Sequence, residues 1–521
     1  DGSYSGMNLD ASNGKINIMI EAWDRIMYSE LATMGLVSTS TMDKMNEMYP
    51  RWTAQGTPAE IYNYGAATVN NETKTYLEFC QGVDYSEYFN HHACGVGAPS
   101  GYMSGGWRNC SYHYNTMESI IGKIASEAGP TWGPAHEIGH QNQAVFNLNG
   151  QTEVTNNFFS NVAVWYMGMG TSRVNGSEGS LESVLAAFNT EDNDLYTNNI
   201  WAITHLYYRL WLYYHLAGNN TQFWPRLFEL CRQVPLENGG QISGETSLLR
   251  FYQHACDAAG EDLTEFFRAH GFFEIMDNRV VGDYSNAIYN VTQAQIDAAI
   301  YAVKAKNYPV NYSILLINDG TSTTTKMHDG STKRELWDKD KNNNPTPSAE
   351  FGSVNDFISG NVATTAYTAT LNSDGTITMS GGEGGIGFLV LNEKDEIVSF
   401  SNKSTFAISD EAAYLLATGK ASVVTVDTES TTTEAEVDVN AMRFALLEEL
   451  IESANSVIEN IDETLTRVGY YKPNAVKNLA IYIEMAEMVI EDGDFANLQA
   501  VYELLYTEYN AVVANEFSRV T

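Results

Sequence analysis

Two histidines four residues apart constrain this chain more than any other feature of its sequence. They belong to the run His136-Glu137-Ile138-Gly139-His140. Residues four apart lie one turn above each other on a helix, so both imidazoles can reach one tetrahedral metal ion at about 2.0–2.1 Å. Glu137 lies about 100° around the helix from His136, where a carboxylate can accept a proton from water. The run therefore predicts a helical zinc site with Glu137 as general base.

Chance is a weak explanation for this pattern. With 10 histidines and 65 acidic residues among 521, a random order would produce about 0.02 such runs in the whole chain. Pro134 lies two residues before His136 and suits the first turn of a helix, where its missing N–H costs nothing. The local context that the pattern requires is therefore present.

The third metal ligand is predicted to be Glu153. A site completed by a third histidine would have glycine at 143 and histidine at 146, where this chain has Gln143 and Phe146. Gly150 is predicted to end the first helix and Thr152 to cap a second one. Glu153 then stands in the first turn of that second helix, which folds back towards the histidines. The alternative is a carboxylate that only stabilises a helix N-terminus, by about 0.3–1 kcal/mol.

Two asparagines follow on the same helix face as Glu153. Asn156 and Asn157 lie three and four residues further along the chain. Either side chain can hold a ligating histidine by accepting its outer N–H. The alternative is a pair of amides on the helix surface.

The charge of the chain excludes several classes of partner. Its formal net charge is −36, so phosphate backbones and anionic lipid headgroups repel it. No run of 18 or more apolar residues occurs, so no segment is expected to span a bilayer. We expect no nucleic acid, no membrane insertion in this chain and a monomeric state.

The five cysteines do not form a metal-binding or disulfide pattern. No two of them are spaced as Cys-x-x-Cys, and an odd number at irregular spacing is neither a disulfide framework nor a thiolate zinc site. We expect buried free thiols, although one or two bridges remain open at this point.

Changes in composition along the chain predict three domains. A first domain holds the histidine motif, a second is rich in strand-like segments such as Thr376–Met379 and Phe388–Leu391, and a third is helical and acidic. Another strand is predicted at Ile314–Ile317, and an amphipathic helix at 15–36. The predicted ranges are 1–307 (strand-rich to about 116, helical over 117–307), 310–435 and 440–521.

The motif and its surroundings resemble a known family. The run from His136 to His140, followed by Glu153-Val154-Thr155-Asn156-Asn157, resembles the enhancin-like zinc metallopeptidases, a gluzincin family that includes viral enhancins and bacterial mucin-degrading O-glycopeptidases. The resemblance covers about residues 1–290. It extends to Gly106-Trp107-Arg108 and to the run Phe266–Phe272.

This resemblance implies a fold and a role for each motif residue. It implies a zincin-type catalytic domain with a helical subdomain. Together with the patterns of the later segments, this predicts the fold class α+β, mainly α, in which a small β-rich domain and a C-terminal helical bundle follow the catalytic domain. His136, His140 and Glu153 would be the zinc ligands and Glu137 the general base. Zn²⁺ would be the cofactor of a zinc-dependent endopeptidase.

The resemblance also implies a substrate class and a location. Family members cleave beside glycosylated serine or threonine, so O-glycosylated, mucin-type glycoproteins are the expected substrates of a protein secreted or held at a bacterial cell surface. Tyr102, Trp107 and Arg108 are expected to contact the glycan, because aromatic faces beside polar donors suit sugars. Two alternatives stay open: a zinc peptidase without a glycan requirement, and a catalytically silent glycan-binding protein on the same scaffold.

Overall fold

The structure is a computed structural model of the chain. It describes residues 22–23, 26–27, 29–36, 67–69, 72–74, 95–96, 103–106, 109–112, 120, 124, 128–143, 148, 150–166, 188, 194–195, 200–237, 244–283, 285–317, 323–326, 332–335, 357 and 364–521.

The chain forms two compact units. The first comprises Asp1–Asn361 with Thr428–Ser430, and the second comprises Val362–Asp427 with Thr431–Thr521. The strand-rich segment and the C-terminal helices therefore share one compact unit. The division of the sequence into three domains stays a prediction.

Helices dominate the described part of the first unit, as the helical pattern of residues 117–307 predicts. They are α1 (Ala128–Asn142), α2 (Thr152–Tyr166), α3 (Ile200–Trp211, continued by a π-helical segment Leu212–Leu216), α4 (Phe223–Glu237), α5 (Gly244–Ala259), α6 (Thr264–Ala269) and α7 (Gln293–Lys304).

The inner face of α2 is fixed by an aromatic core. Phe158, Phe159 and Val162 are fully buried, and Phe158 stacks on Trp224 of α4 with ring centroids 4.3 Å apart. Burying each large apolar side chain stabilises the fold by about 1.5–3 kcal/mol. This packing holds α2 in place, so the position of its first turn is set by the core.

The boundaries of α1 differ from the prediction. The helix begins at Ala128, so Pro134 lies in its interior and not in its first turn. It ends at Asn142 and not at Gly150, which adopts a left-handed φ of 81° in the connection to α2. A proline inside a helix removes one backbone hydrogen bond.

A helical segment near the N-terminus packs against the end of α1. Residues 22–33 are helical where described, and Gly35 follows with a φ of 72°, as predicted for this end of the 15–36 helix. The fully buried Glu30 accepts a hydrogen bond of 2.7 Å from Asn142. Burial raises the pKa of Glu30 well above its usual value, and the hydrogen bond from Asn142 offsets only part of this rise.

The described strands of the first unit are β1 (Ala67–Val69), β2 (Glu72–Lys74), β3 (Gly95–Val96), β4 (Met103–Gly106), β5 (Asn109–Tyr112), β6 (Met276–Asp283), β7 (Ser285–Val291), β8 (Thr323–Lys326) and β9 (Thr332–Glu335). They form small antiparallel pairs and one three-stranded sheet of order β3-β5-β4.

Two local predictions in this unit are wrong. The β6–β7 hairpin interrupts the stretch predicted to be helical, and its paired residues Val280 and Ile288 are each 62% exposed. The apolar run Ile314–Ile317 is fully buried, but it lies at a 3-10 turn, Ser313–Leu315, and not in a strand. A short apolar run indicates burial without deciding between helix and strand.

The second unit begins with two four-stranded sheets. Their strands are β10 (Thr368–Leu371), β11 (Thr376–Ser380), β12 (Gly387–Asn392), β13 (Ile397–Ser401), β14 (Thr405–Ala407), β15 (Ala421–Val426), β16 (Thr432–Glu434) and β17 (Glu436–Asp438). The sheet orders are β14-β11-β10-β17 and β13-β12-β15-β16. Phe388 of β12 stacks on Phe406 of β14, and this contact joins the apolar faces of the two sheets. A short helix, α8 (Asp410–Ala417), is capped by Ser409.

Three helices complete the second unit: α9 (Asn440–Glu459), α10 (Lys477–Asp492) and α11 (Phe495–Ala514). Their shared core includes Leu447, Leu479 and Leu498, so the predicted helical bundle is confirmed. Gly493 ends α10 with a left-handed φ of 61°, the conformation that favours glycine after a helix. No helix in the described ranges is both long enough and apolar enough to cross a membrane.

Asp462 organises the loop between α9 and α10. One carboxylate oxygen accepts hydrogen bonds from the backbone N–H and hydroxyl of Thr464, and the other from the N–H groups of Thr466 and Arg467. Hydrogen bonding, chiefly from Thr464, lowers the pKa of Asp462 to about 2. Because the folded-state pKa is depressed, the stabilisation is present above the unfolded pKa of about 3.9 and is lost as the pH falls through about 2.

We therefore expect Asp462→Asn to lower urea resistance at pH 6, because the amide N–H₂ would face backbone donors. The difference between wild type and variant should shrink at pH 2.5, when the wild-type carboxylate is partly protonated. Urea unfolding of both full-length proteins at the two pH values measures this difference. An equal difference at the two pH values would contradict the role of the ionised carboxylate.

Candidate metal centre

Helices α1 and α2 approach each other closely at Gly139. A Cβ atom at this position would lie 3.1 Å from the backbone oxygen of Asn156 and 3.2 Å from the Cβ of Phe159. Such contacts are tighter than ordinary van der Waals packing, so a larger residue would push the two helices apart. The glycine between the two histidines therefore permits the approach that the site needs.

The approach brings His136, His140 and Glu153 together. The Nε2 atom of His136 lies 3.0 Å from Oε2 of Glu153, and that of His140 lies 3.4 Å from Oε1. The three predicted ligands offer atoms that all lie within 4.8 Å of one another. Glu153 stands in the first turn of α2, as predicted, and its side chain is 24% exposed, so the cluster is open to solvent.

The donor set fits a zinc ion. Tetrahedral zinc with bonds of about 2.0–2.2 Å keeps its ligand atoms about 3.3–3.6 Å apart, close to the two separations between Glu153 and the imidazoles. Two imidazole nitrogens and one carboxylate are also the ligand types of catalytic zinc sites, which keep a fourth position for water or substrate. The ligand types and these two separations therefore suit such an ion.

The charges in the cluster are coupled. Burial works to lower the pKa of His136, but the adjacent Glu153 carboxylate and the charge of Glu137 outweigh it and raise that pKa. Burial works to raise the pKa of Glu153, but the hydrogen bonds and charges of His136 and His140 hold it well below its usual range. Glu153 is therefore ionised at neutral pH and can balance part of the charge of a dication.

Both predicted asparagines contact the histidines. Oδ1 of Asn157 lies 2.9 Å from Nδ1 of His136, and Nδ2 of Asn157 donates to the backbone oxygen of Glu153. Nδ2 of Asn156 lies 2.8 Å from Nε2 of His136 and 2.8 Å from Nε2 of His140. Asn157 thus touches the outer nitrogen of one imidazole, whereas Asn156 faces the inner nitrogens of both.

Two further residues at the site, Gln143 and Thr155, were not among the predicted site residues. The amide nitrogen of Gln143 lies 2.8 Å from Nδ1 of His140, and its oxygen lies 2.6 Å from the hydroxyl of Thr155. Gln143 follows His140 by three residues, a spacing that places both on one helix face. That spacing is the signal that could have identified Gln143.

Glu137 lies in α1 and is 6% exposed. It is not one of the three clustered residues. Burial, then the charge of Glu137, raises the pKa of the nearby Cys110 to about 12, so this thiol stays protonated and is a poor metal ligand. Cys110, Cys231 and Cys256 are buried free thiols, as predicted.

The predicted glycan-contacting residues cannot be placed. Tyr102, Trp107 and Arg108 lie outside the residues that the structure describes, as do Cys80 and Cys94. Their roles stay predictions.

Comparison with known proteins is informative at the level of family and fold. The chain is similar to a metallopeptidase from Bacteroides thetaiotaomicron, with 24% identity, a TM-score of 0.52 and coverage of 64% of this chain and 54% of that one. It is also similar to a metallopeptidase in complex with Tn antigen, with 25% identity, a TM-score of 0.53 and coverage of 64% and 60%. The chain thus spans less than two thirds of either structure.

The predicted fold class, α+β and mainly α, is confirmed by these structures and by the observed helices. No curated protein sequence matches the chain significantly. A family model for peptidase M60, enhancin and enhancin-like, matches residues 9–271, half of the chain, and includes all three clustered ligands. As the resemblance predicted, the chain belongs to the peptidase M60 family of enhancin and enhancin-like metallopeptidases.

Proposed function

We propose that this chain is a zinc-dependent endopeptidase that cleaves O-glycosylated, mucin-type glycoproteins. The observation that carries the proposal is the convergence of His136, His140 and Glu153 within 4.8 Å, with the charge of Glu137 acting on His136. Membership of the M60 family supports peptidase activity. The similar metallopeptidase in complex with Tn antigen supports a glycosylated substrate.

Each residue of the cluster has a defined task in this proposal. His136, His140 and Glu153 would hold zinc, which when bound polarises a carbonyl group and acidifies water. Glu137 takes the proton of the attacking water on a carboxylate oxygen and passes it to the departing amine. Its low exposure keeps that proton from bulk solvent.

Location and assembly belong to the same proposal. Mucin-type glycoproteins lie outside the cell, so we propose that the protein is secreted or held at a bacterial cell surface. The net charge of −36 opposes self-association through long-range repulsion, which supports a monomer.

One peptide synthesised with and without an O-linked GalNAc tests the substrate class. We expect the zinc-loaded protein to cleave the glycosylated form at least about tenfold faster, because contacts to the sugar lower the barrier by 1.4 kcal/mol or more. Mass spectrometry of the products measures both rates, and a Glu137→Gln preparation controls for contaminating proteases.

The other outcomes identify the alternatives. Equal cleavage of both peptides would indicate a peptidase without a glycan requirement. Binding of the glycopeptide without cleavage by the zinc-loaded protein would indicate a silent glycan-binding protein, and the proposed activity would be wrong.

A further inference from the structure

Each ligating imidazole has an outer nitrogen whose hydrogen bond decides whether the inner nitrogen can bind metal. In a neutral histidine one ring nitrogen carries the proton and the other carries the free lone pair. For Nε2 of His136 and His140 to bind zinc, the proton must lie on Nδ1. A hydrogen-bond acceptor must then face each Nδ1 atom.

For His136 the acceptor is Oδ1 of Asn157, and a backbone carbonyl fixes the orientation of that amide. The amide nitrogen of Asn157 donates to the backbone oxygen of Glu153, which can only accept, so the orientation of the Asn157 amide is fixed. Its Oδ1 atom therefore faces Nδ1 of His136, at 2.9 Å. His136 donates its Nδ1 proton to this oxygen and directs the Nε2 lone pair into the cluster.

The position of the Asn156 amide is consistent with a proton on Nδ1 and a lone pair on Nε2 in both rings. Its nitrogen carries two protons and lies 2.8 Å from each Nε2 atom. One proton can point to each ring when both Nε2 atoms are acceptors, which is the state that metal binding requires. In that state His140 also carries its proton on Nδ1.

Gln143 can accept a hydrogen bond from Nδ1–H of His140 in only one orientation of its amide. With its nitrogen towards His140, Gln143 would donate to Nδ1 and leave the imidazole proton on Nε2, where it would block metal binding. A half-turn of the amide exchanges oxygen and nitrogen without moving the side chain. The oxygen then faces Nδ1 of His140 and the nitrogen faces the hydroxyl of Thr155.

Thr155 makes this orientation possible. Its hydroxyl lies 2.6 Å from one end of the Gln143 amide and 3.1 Å from the backbone oxygen of Gln151. A hydroxyl has one proton and can accept as well as donate. It therefore accepts from Gln143 and donates to Gln151, so every group in the chain is satisfied.

We propose that Gln143 and Thr155 are positioning residues for His140. They form a one-directional chain of hydrogen bonds from His140 through Gln143 and Thr155 to the Gln151 carbonyl, and this chain fixes the metal-binding tautomer. Gln143 is 3% exposed and Thr155 is fully buried, so water does not compete with these bonds. The inference rests on the proposed function for the identity of the metal.

Zinc affinity of the full chain, measured by competition with a chromophoric chelator, tests the proposal. Gln143→Leu should weaken zinc binding by about 10–100-fold, the usual cost of losing an outer partner of a ligating histidine. Thr155→Val should also weaken it, because the amide of Gln143 loses its fixed orientation. Gln143→Glu and Thr155→Ser should stay within about threefold of wild type, since they keep the acceptor and the hydroxyl.

Ser160→Ala is the matched control. Its hydroxyl also bonds to a carbonyl four residues earlier in α2, at 3.2 Å from the Asn156 oxygen, but it touches neither imidazole. This variant should bind zinc like wild type. Circular dichroism of each variant separates loss of the metal from loss of the fold.

Nitrogen-15 spectra of histidine-labelled, metal-free protein provide a readout that a purely structural role would not move. Wild type should show His140 protonated at Nδ1, and Gln143→Leu should populate the Nε2-protonated form. Unchanged spectra and unchanged affinity in Gln143→Leu and Thr155→Val would overturn the proposal, as would equal losses in Thr155→Ser and Thr155→Val. Zinc binding without glycopeptide cleavage by wild type would instead refute the proposed function and leave this inference standing.

Discussion

Replacing Glu137 with glutamine should reduce kcat/KM for a glycopeptide by roughly 10²–10⁴-fold, the usual contribution of a general acid–base group. Glutamine keeps the size of the side chain but cannot accept a proton at neutral pH. Because Glu137 is not one of the three clustered ligands, zinc content should remain at the wild-type level. Initial rates and metal analysis on the same preparation measure both quantities.

A distant acidic residue provides the control for this variant. Asp297 is exposed on α7 and bonds to Gln293 of the same helix, so Asp297→Asn makes the same change of charge without touching the site. Its activity should equal that of wild type. Full activity in a zinc-loaded Glu137→Gln protein would show that another group accepts the proton.

The sequence predicts that His136, His140 and Glu153 lie close together, as they do, because the geometry that joins them is local. The four-residue spacing of His136 and His140 determines their shared helix face. Glu153 needs only a second helix that packs beside the first. Short-range helix geometry therefore carries most of the information about where these ligands meet.

The hydrogen bonds around the ligands are harder to predict because they join residues from both helices. In the sequence, Gln143 replaces the glycine of the class of site that has a third histidine, and its three-residue spacing from His140 indicates only a shared helix face. Its contact with Thr155 depends on the registry of α1 against α2, which the close approach at Gly139 sets. Pairing across two helices does not follow from the pattern of either one alone.

Errors in the predicted fold have a related cause. The run Ile314–Ile317 is as buried as a core strand, but hydrophobicity alone does not specify backbone geometry. The backbone of the buried run therefore depends on tertiary packing more than on local pattern. In the β6–β7 hairpin, the apolar residues Val280 and Ile288 are paired on the exposed face. The two strands therefore lack the apolar–polar alternation that identifies a half-buried strand.

Glu153→Ala should remove the metal rather than slow a single chemical step. Two neutral imidazoles would remain, without the carboxylate that balances part of the charge of the ion. We expect zinc binding to weaken by more than the roughly 10–100-fold that losing an outer hydrogen-bond partner costs, and glycopeptide cleavage to fall with zinc occupancy. Chelator competition and activity at increasing zinc concentration measure the two losses together.

Glu265→Ala distinguishes a ligand from a charge that only stabilises a helix end. Glu265 is also an acidic residue in the first turn of its helix, α6, and it pairs with Arg268 at 3.3 Å. Its removal should affect stability but not zinc affinity. If Glu153→Ala behaved in the same way, with unaltered zinc binding and a loss of only about 0.3–1 kcal/mol of stability, Glu153 would be a helix-end charge. The site would then have two protein ligands, too few for the catalytic zinc centres that this arrangement resembles.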